Sequence, residues 1–291
     1  MSSAGRPAEP PLSGGPRARG ATDAVRAGAP GRRSSRRRAV GHRTIWLLRG
    51  LSVLVPLGAW EWLGRHTNPL LFTYPSAIAQ AGVDLVRNGS LLGAMTQSLS
   101  VLAWGLALSV LVGVGIGLAM GRSRIAEALL EVPLDALYAM PTVALVPVIV
   151  LWAGFGPVAK VLVVFLFSVF AIMLNTARGV REVDPQLIEV ARSYSANEVG
   201  LWKDVVLPSA LPYVVTGIRL AVGRALVGVV IAEFYTSIAG LGFLIVTYAN
   251  TFQTARVFVP VVVLMALGVV LTAGLQLLEG RIAPWQSTEA S

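Results

Sequence analysis

The sequence of 291 residues has no cysteine and only two histidines, His42 and His66. Without cysteine, the chain has no disulfide framework, no thiol nucleophile and no Cys-ligated metal. The two histidines stand apart from any metal-ligand or triad spacing, so neither is a candidate ligand or catalytic base. We therefore expect no metal site, no cofactor bound by this chain and no catalytic residue.

Charged residues are also scarce. They make up 13% of the chain, against about 25% in soluble domains, while hydrophobic residues make up 55%. The mean hydropathy is +0.69. Residues 88–121, 136–159 and 257–278 contain no Asp, Glu, Lys or Arg. Each of these runs is longer than the ~20 residues with which an α-helix crosses a bilayer, so the sequence indicates a membrane protein.

The basic residues gather at the N-terminal end. The net charge is +9, and ten of the 24 Lys and Arg residues precede residue 44. They are Arg6, Arg17, Arg19, Arg26, Arg32, Arg33, Arg36, Arg37, Arg38 and Arg43. A basic stretch directly before the first apolar run is typical of a cytoplasmic topology anchor. We therefore predict a disordered basic cytoplasmic tail over residues 1–43 and no nucleic-acid partner.

The apolar runs predict an all-α, polytopic membrane protein with about six transmembrane helices. The predicted spans cover residues 45–62, 94–120, 133–152, 158–177, 209–235 and 257–278. A surface helix is expected in the outer loop near 75–86, and residues 240–250 are expected to re-enter the membrane edge. Pro141 and Pro147 should kink or locally unwind the third span, and small-residue spacings such as Gly113-x-x-x-Gly117 predict close packing of the second.

This topology places 17 Lys and Arg residues on the cytoplasmic side and 4 on the outer side. The asymmetry predicts that both termini are cytoplasmic, in a multi-pass protein of the inner membrane.

Residues 178–208 gather nine charged side chains between two predicted spans. Asp184-Pro185 is a helix start, and Leu187, Val190, Ala191 and Tyr194 have the spacing of one helical face. Ser195 and Glu198 fit a capping box for a second helix, which Leu207-Pro208 should end. Two short amphipathic helices form a rigid knob, which either docks in a groove of a soluble partner or lies on lipid headgroups.

Two motifs in this segment resemble a known family. Glu189-Val-Ala-Arg-Ser-Tyr-Ser195, followed by Val206-Leu207-Pro208, resembles the EAA loop of importer-type ABC permeases, in which E-A-A, three residues and G precede I-L-P. The run PSALPYVVTGIRLAVGRALVGVVIAEF, residues 208–234, looks like the nitrate, sulfonate and taurine branch of that family. The similarity covers roughly residues 94–285.

The resemblance implies the fold of a type I (methionine-transporter-like) ABC importer permease. It covers the permease transmembrane domain at 94–285, while the apolar runs predict a first transmembrane helix and outer loop at 44–93 and a cytoplasmic tail at 286–291. ATP would be bound and hydrolysed by a separate ATPase subunit, since this chain has no G-x-x-x-x-G-K-[ST] loop and is not itself an enzyme. The other implied partners are membrane lipid, an extracytoplasmic substrate-binding protein and a second permease copy, giving a homodimer.

The family pattern assigns the coupling to the ATPase to named residues. They are Glu189, Val190, Ala191, Ser195, Leu207 and Pro208, of which the last two would set the direction of the fifth span. Two positions depart from the pattern, because Val190 replaces Ala and Ser195 replaces Gly. We expect Ser195 to preserve the two-helix shape by acting as the N-cap of the second helix.

Three ionisable residues lie within the fifth span: Arg219, Arg224 and Glu233. Because charge in lipid is costly, we expect them to face a cavity or a partner, and they are candidates for the translocation pathway. Two arginines would suit an anionic substrate such as nitrate, a sulfonate or taurine. The alternative is snorkelling or a structural pairing with another span.

Other functions and substrates stay open from the sequence. The same permease role for a pyrimidine vitamin precursor is one alternative. A secondary transporter is another, although no internal inverted repeat is evident. An intramembrane enzyme is a poor interpretation, since no catalytic set can be assembled.

Overall fold

The structure is a computed structural model that describes residues 42–68, 70–236 and 238–282. The predicted C-terminal tail, and all but the last two residues of the predicted N-terminal tail, lie outside the described residues. The chain divides into two compact units, residues 1–52 and 53–291. The first unit contributes the start of the first helix, and every contact described below lies within the second.

The described residues form helices joined by short turns, with no strand among them. The helices are α1 (His42–Arg65), α2 (Pro75–Arg87), α3 (Ser90–Arg122), α4 (Arg124–Ala139), α5 (Val146–Ala153), α6 (Pro157–Arg181), α7 (Pro185–Ser193), α8 (Glu198–Leu201), α9 (Leu207–Thr236), α10 (Leu241–Asn250) and α11 (Thr254–Ile282). A 3₁₀ turn, Thr142–Leu145, precedes α5, and a π-helical turn, Trp202–Val206, precedes α9. The all-α prediction is confirmed.

Four helical segments in the described part of the chain are long and apolar enough to cross a membrane: Ser90–Arg122, Pro157–Arg181, Glu198–Thr236 and Thr254–Leu277. They correspond to the predicted second, fourth, fifth and sixth spans. A bent pair of helices supplies a fifth candidate. The segment α1 is not among these candidates, since Arg49, Glu61 and Arg65 interrupt its apolar character, so the first span stays a prediction.

The predicted third span has a different form from a single helix over 133–152. Its residues are divided between α4 and the segment Thr142–Ala153, which meet at an angle of 90°. The break falls at Met140 and Pro141, both in extended conformation. Pro141 lacks the N–H that continuation of the helix needs, so the predicted unwinding is confirmed there. Pro147 lies in the first turn of α5, where a proline is tolerated, and causes no kink.

The core of the described bundle is formed by α3, α6 and α9. Close approach of α3 to α6 depends on glycine: a Cβ added at Gly105 would lie 2.4 Å from Cγ1 of Val164, and one at Gly117 would lie 2.6 Å from the carbonyl oxygen of Met173. Between them, the hydroxyls of Ser109 and Ser168 are 2.7 Å apart. The predicted small-residue packing of the second span is thus confirmed.

Candidate functional site

The segment between α6 and α9 is folded as two short helices, as the sequence predicted. Ile188 and Ala191 on α7 pack against an apolar cluster of Val180, Val183, Leu201, Val206 and Ala210. This cluster connects α7 to the end of α6, to α8 and to the start of α9. The segment is therefore a packed knob and not a flexible loop.

The opposite face of α7 is apolar and exposed. Leu187 is 50%, Val190 55% and Tyr194 85% exposed. The predicted stripe of four residues is thus divided, because Ala191 turns towards the chain's own cluster while the other three face outward. Ile188, which was not part of the predicted stripe, is the second residue of α7 that packs against this cluster.

The helix caps of the knob agree with the sequence at one end and differ at the other. The carboxylate of Asp184 accepts a hydrogen bond from the backbone N–H of Gln186 at 2.8 Å, so the predicted start of α7 is confirmed. The expected capping role of Ser195 is wrong. Asn197 is the N-cap of α8, since its Oδ1 accepts from the N–H of Gly200 at 2.8 Å.

Ser195 follows α7 in the left-handed conformation, with φ of 59°. This conformation at the end of a helix favours glycine, because a side chain there meets its own backbone. Ser195, at the position where the resemblance predicts a glycine, therefore adopts a conformation that favours glycine, at a cost in strain.

The expectation that Leu207-Pro208 ends the second helix is also wrong. Helix continues from Glu198 to Thr236. Before the proline, the N–H of Leu207 bonds to the carbonyl of Trp202, five residues back, in a π-helical turn. The wider turn relieves the clash that a proline ring makes with the preceding turn of an α-helix, so Pro208 is tolerated in the first turn of α9.

Polar contacts fix the base of the knob. The Tyr213 hydroxyl on α9 donates to Oε2 of Glu182, while Arg178 donates to Oε1 at 2.6 Å. The hydrogen bond from Tyr213, and then that from Arg178, hold the pKa of the Glu182 carboxyl below its ordinary value. Arg181 on α6 also pairs with Glu127 on α4 at 2.9 Å.

The three predicted ionisable residues of α9 lie in different surroundings. Arg224 is exposed and donates to the Tyr138 hydroxyl at 3.1 Å, with its guanidinium 5.5 Å from the centre of that ring. Arg219 is partly buried. Glu233 is nine residues beyond Arg224, about 14 Å along the helix, so the structure does not bring the three together.

Glu233 is fully buried at the far end of α9, in a polar cluster with α3, α6 and α10. Its Oε1 accepts from the Ser98 hydroxyl at 2.7 Å, and its Oε2 accepts from the N–H of Gly242 at 2.7 Å. The Ser98 oxygen accepts in turn from the N–H of Leu241 at 2.8 Å. Glu233 and Ser98 thus cap the N-terminus of α10 from two other helices.

Lys160 of α6 completes this cluster. It is 5% exposed, and its Nζ donates to the carbonyl oxygen of Ala239 at 2.7 Å. The neighbouring Gly240 has φ of 117°, and a Cβ there would lie 2.0 Å from Glu233 Oε1. Sequence reasoning missed Ser98, Lys160 and Tyr138. The signal for the first two was the acidic residue Glu233 within an apolar span, a few residues before two closely spaced glycines, Gly240 and Gly242.

The apolar helices, the bent pair and the packed knob between α6 and α9 define a class of protein, a multi-pass membrane protein with a folded segment outside its spans. The chain belongs to the family of binding-protein-dependent transport system inner membrane components, whose family model matches residues 109–284. It is a permease subunit of an ABC importer, a transport protein of the membrane.

Known relatives agree with this assignment. The chain is 31% identical over 255 residues to an aliphatic sulfonates transport permease protein, SsuC, of Bacillus subtilis (strain 168), covering 87% of this chain and 92% of that one. It is 30% identical over 240 residues to the formylaminopyrimidine transport permease protein ThiX of Halalkalibacterium halodurans, covering 82% and 96%.

A solved structure shows the same fold. The crystal structure of an amino acid ABC transporter with histidines aligns with a TM-score of 0.52 and 18% identity, over 68% of this chain and 95% of the other. The type I importer permease fold predicted from the sequence is thereby confirmed.

Proposed function

We propose that this permease imports a small anion of the sulfonate type, driven by a separate ATPase that docks on the exposed face of α7. The observation that carries the proposal is that face itself: Leu187, Val190 and Tyr194 are exposed on a helix whose other side is anchored. A rigid apolar surface outside the membrane spans fits a groove on a soluble partner better than it fits water.

The remaining members of the coupling set have supporting roles in this proposal. Glu189 is exposed beside Val190 on α7 and is available to a partner's basic group. Ser195 separates the two helices of the knob. Leu207 and Pro208 join the knob to α9 as one continuous helix, which would pass movement of the knob into the membrane.

Affinity purification of the tagged permease from native membranes tests the docking face. We expect a P-loop ATPase to copurify with the wild type and to fall about tenfold with Tyr194→Ser combined with Val190→Ser, as loss of central apolar contacts costs over 1 kcal/mol. Ile125→Ser, on the exposed side of α4, is the matched control and should keep the ATPase. Equal recovery with all three proteins would contradict docking on α7.

The assembly we propose is a homodimer in the inner membrane, surrounded by lipid, with both termini cytoplasmic. ATP is bound by the partner ATPase, and an extracytoplasmic binding protein delivers the substrate. Binding-protein dependence is part of the family's description. Two copies enclose a pathway between them, for which Arg219 and Arg224 are the cationic candidates, while the buried bonds of Glu233 favour a positioning role.

The sulfonate assignment rests on the Bacillus subtilis relative and on the two arginines of α9. The pyrimidine precursor is the competing substrate, favoured by the relative from Halalkalibacterium halodurans. Uptake of radiolabelled taurine and ethanesulfonate by cells expressing the full importer distinguishes them. We expect uptake of a sulfonate that excess formylaminopyrimidine does not inhibit; uptake of formylaminopyrimidine alone would overturn the assignment.

Arg224 provides a sharper test of the pathway. Its guanidinium is exposed beside Tyr138, next to the break between α4 and α5. Arg224→Gln should lower sulfonate uptake about tenfold at unchanged protein level, because a cation opposite the anion is lost, while Arg224→Lys should retain part of it. Normal uptake by the Gln variant would remove Arg224 from the pathway.

A further inference from the structure

One helix joins the cytoplasmic knob to the buried polar cluster at the other end of the bundle. It runs without interruption from Glu198 to Thr236, over 39 residues. At 1.5 Å per residue this is about 58 Å, more than the thickness of a bilayer. Glu233 lies one turn before its far end.

The cluster around Glu233 links four helices through polar bonds. The carboxylate of Glu233 on α9 accepts hydrogen bonds from the Ser98 hydroxyl of α3 and from the N–H of Gly242 in the first turn of α10. Lys160 of α6 donates to the carbonyl oxygen of Ala239, just before α10. We call Glu233, Ser98 and Lys160 the polar latch. Each of the three side chains is buried, so these bonds are shielded from water and are costly to leave unmade.

The backbone around the latch is shaped to admit the carboxylate. Gly240 has a positive φ of 117°, and a Cβ there would overlap the Glu233 oxygens. A Cβ at Gly242 would lie 2.9 Å from the Glu233 Cβ. The close approach of α10 to α9 therefore depends on Gly240, Gly242 and Glu233 together, which indicates a defined contact and not incidental packing.

An open groove lies beside the latch. It has a volume of about 300 Å³ and is lined by Gly93, Ala94 and Gln97 of α3 and by Ala239 and Phe243. Leu241 and Leu244 hold α10 to α2, α3 and α11 through an apolar cluster. The bonds of Glu233 add to the four-residue link between α9 and α10 and to the close contact of Gly242 with Val230 in holding the start of α10 to α9.

We propose that the polar latch makes Glu233 a positioning residue that transmits movement of α9 to α10 on the outer side. This proposal rests on the function proposed above, in which the ATPase moves the knob. A shift of α9 then displaces Glu233, and through it the N-terminus of α10 and Ser98 of α3. Without the latch, the apolar cluster holds α10 against the pull of the short link alone, so most of the movement of α9 is not passed on.

The absence of cysteine makes α10 directly measurable, because a single introduced thiol is unique in the chain. Ala249 is exposed near the end of α10, so Ala249→Cys reports on that helix. The labelling rate with a membrane-impermeant maleimide is compared between the nucleotide-free importer and the importer trapped with ATP and vanadate. We expect a severalfold difference with the latch intact.

Ser98→Ala and Glu233→Gln are the test variants in the Ala249→Cys background. We expect both to trap vanadate as the parent does and to lose the difference in labelling. Ser109→Ala is the matched control, since Ser109 is a buried, hydrogen-bonded serine on the same helix that contacts Ser168 instead of the latch. It should keep the difference, even if it lowers Tm as much as Ser98→Ala does.

The outcomes separate this proposal from the one it rests on. If the parent labels equally in both states, or if the latch variants keep the full difference, transmission through Glu233 is overturned while the importer function stands. If no ATPase assembles with the parent or no vanadate is trapped, the proposed docking fails and the latch proposal falls with it. Equal loss with Ser109→Ala would show a general packing effect and would also overturn it.

Discussion

At the scale of single residues, the knob contains one strained residue, Ser195, between two helices whose N-termini are capped by Asp184 and Asn197. Ser195 is one of two described non-glycine residues with positive φ, and it stands where the resemblance expects glycine. The departure from the motif was visible in the sequence. The conformation of Ser195 was not visible, because a serine after one helix is equally able to cap the next. Asn197 is the cap instead, through a hydrogen bond that spacing alone does not reveal.

Replacing Ser195 by glycine should relieve this strain. We expect Ser195→Gly to raise stability by up to about 1 kcal/mol, the gain from removing a left-handed Cβ being partly offset by the freedom of glycine in the unfolded chain. Ser193→Gly, at the last residue of α7, should instead lower stability by up to about 0.5 kcal/mol. Thermal unfolding of the purified protein in detergent measures both; a lower Tm for Ser195→Gly would contradict the strain.

Glu182 gives the knob a dependence on pH. Its pKa is lowered in the folded protein by the Tyr213 hydroxyl first and then by Arg178. A group with a depressed folded pKa contributes stability above its unfolded pKa of about 4.5 and loses it as pH falls through the folded value. Tyr213→Phe should therefore lower Tm at pH 7 and have a shrinking effect below about pH 4.5. A Tm difference that is constant from pH 7 to 4 would rule out this bond as the cause.

At the scale of helices, the sequence was informative wherever a long apolar run decided the structure. The helices α3, α6, α9 and α11 lie where long apolar runs predicted spans, and α2 follows from Pro75 as an N1 residue. For the third span the sequence predicted a break at Pro141 but not the angle of the bend, because hydropathy carries no information on the direction of the chain after the break. The 90° bend at Met140 and Pro141 joins an amphipathic α4, with Glu127, Glu131 and Asp135, to an apolar α5.

The candidate site was predictable to the same extent. The EAA-type spacing located the knob, and Asp184 located its start. The polar latch could not be predicted from the sequence. Ser98 and Lys160 are 135 and 73 residues away from Glu233 along the chain, and their contacts depend on how α3, α6 and α9 pack. The division of the α7 stripe into an inner and an outer face likewise depends on the cluster behind it.

The glycine contacts of α3 provide a test of that packing. Gly117→Ala should destabilise the protein by about 1 to 3 kcal/mol, because its Cβ would overlap the Met173 carbonyl on α6. Gly115→Ala, two residues earlier with nothing within 4 Å of the added Cβ, should be neutral or slightly stabilising. The thermal midpoint of monodisperse protein in size-exclusion chromatography compares them, and equal midpoints would mean that α3 and α6 are farther apart than described.

At the scale of the whole molecule, the distribution of Lys and Arg predicts the orientation in the membrane. In the proposed topology the knob is cytoplasmic, so we predict that Tyr194→Cys on the knob reacts with an impermeant maleimide only after the inner membrane is permeabilised. Leu71→Cys, in the exposed loop before α2, should react in intact spheroplasts. The reverse pattern would invert the proposed topology.

The central claim is that ATP hydrolysed on a partner drives import through contact with the knob. Uptake of taurine or ethanesulfonate into proteoliposomes tests it, with the permease and its copurified ATPase in the membrane, binding protein outside and ATP or its non-hydrolysable analogue inside. We predict uptake only with ATP, reduced about tenfold by Val190→Ser with Tyr194→Ser and unchanged by Ile125→Ser. Uptake that proceeds without ATP under an ion gradient, and equally with all variants, would show a secondary transporter and contradict this account.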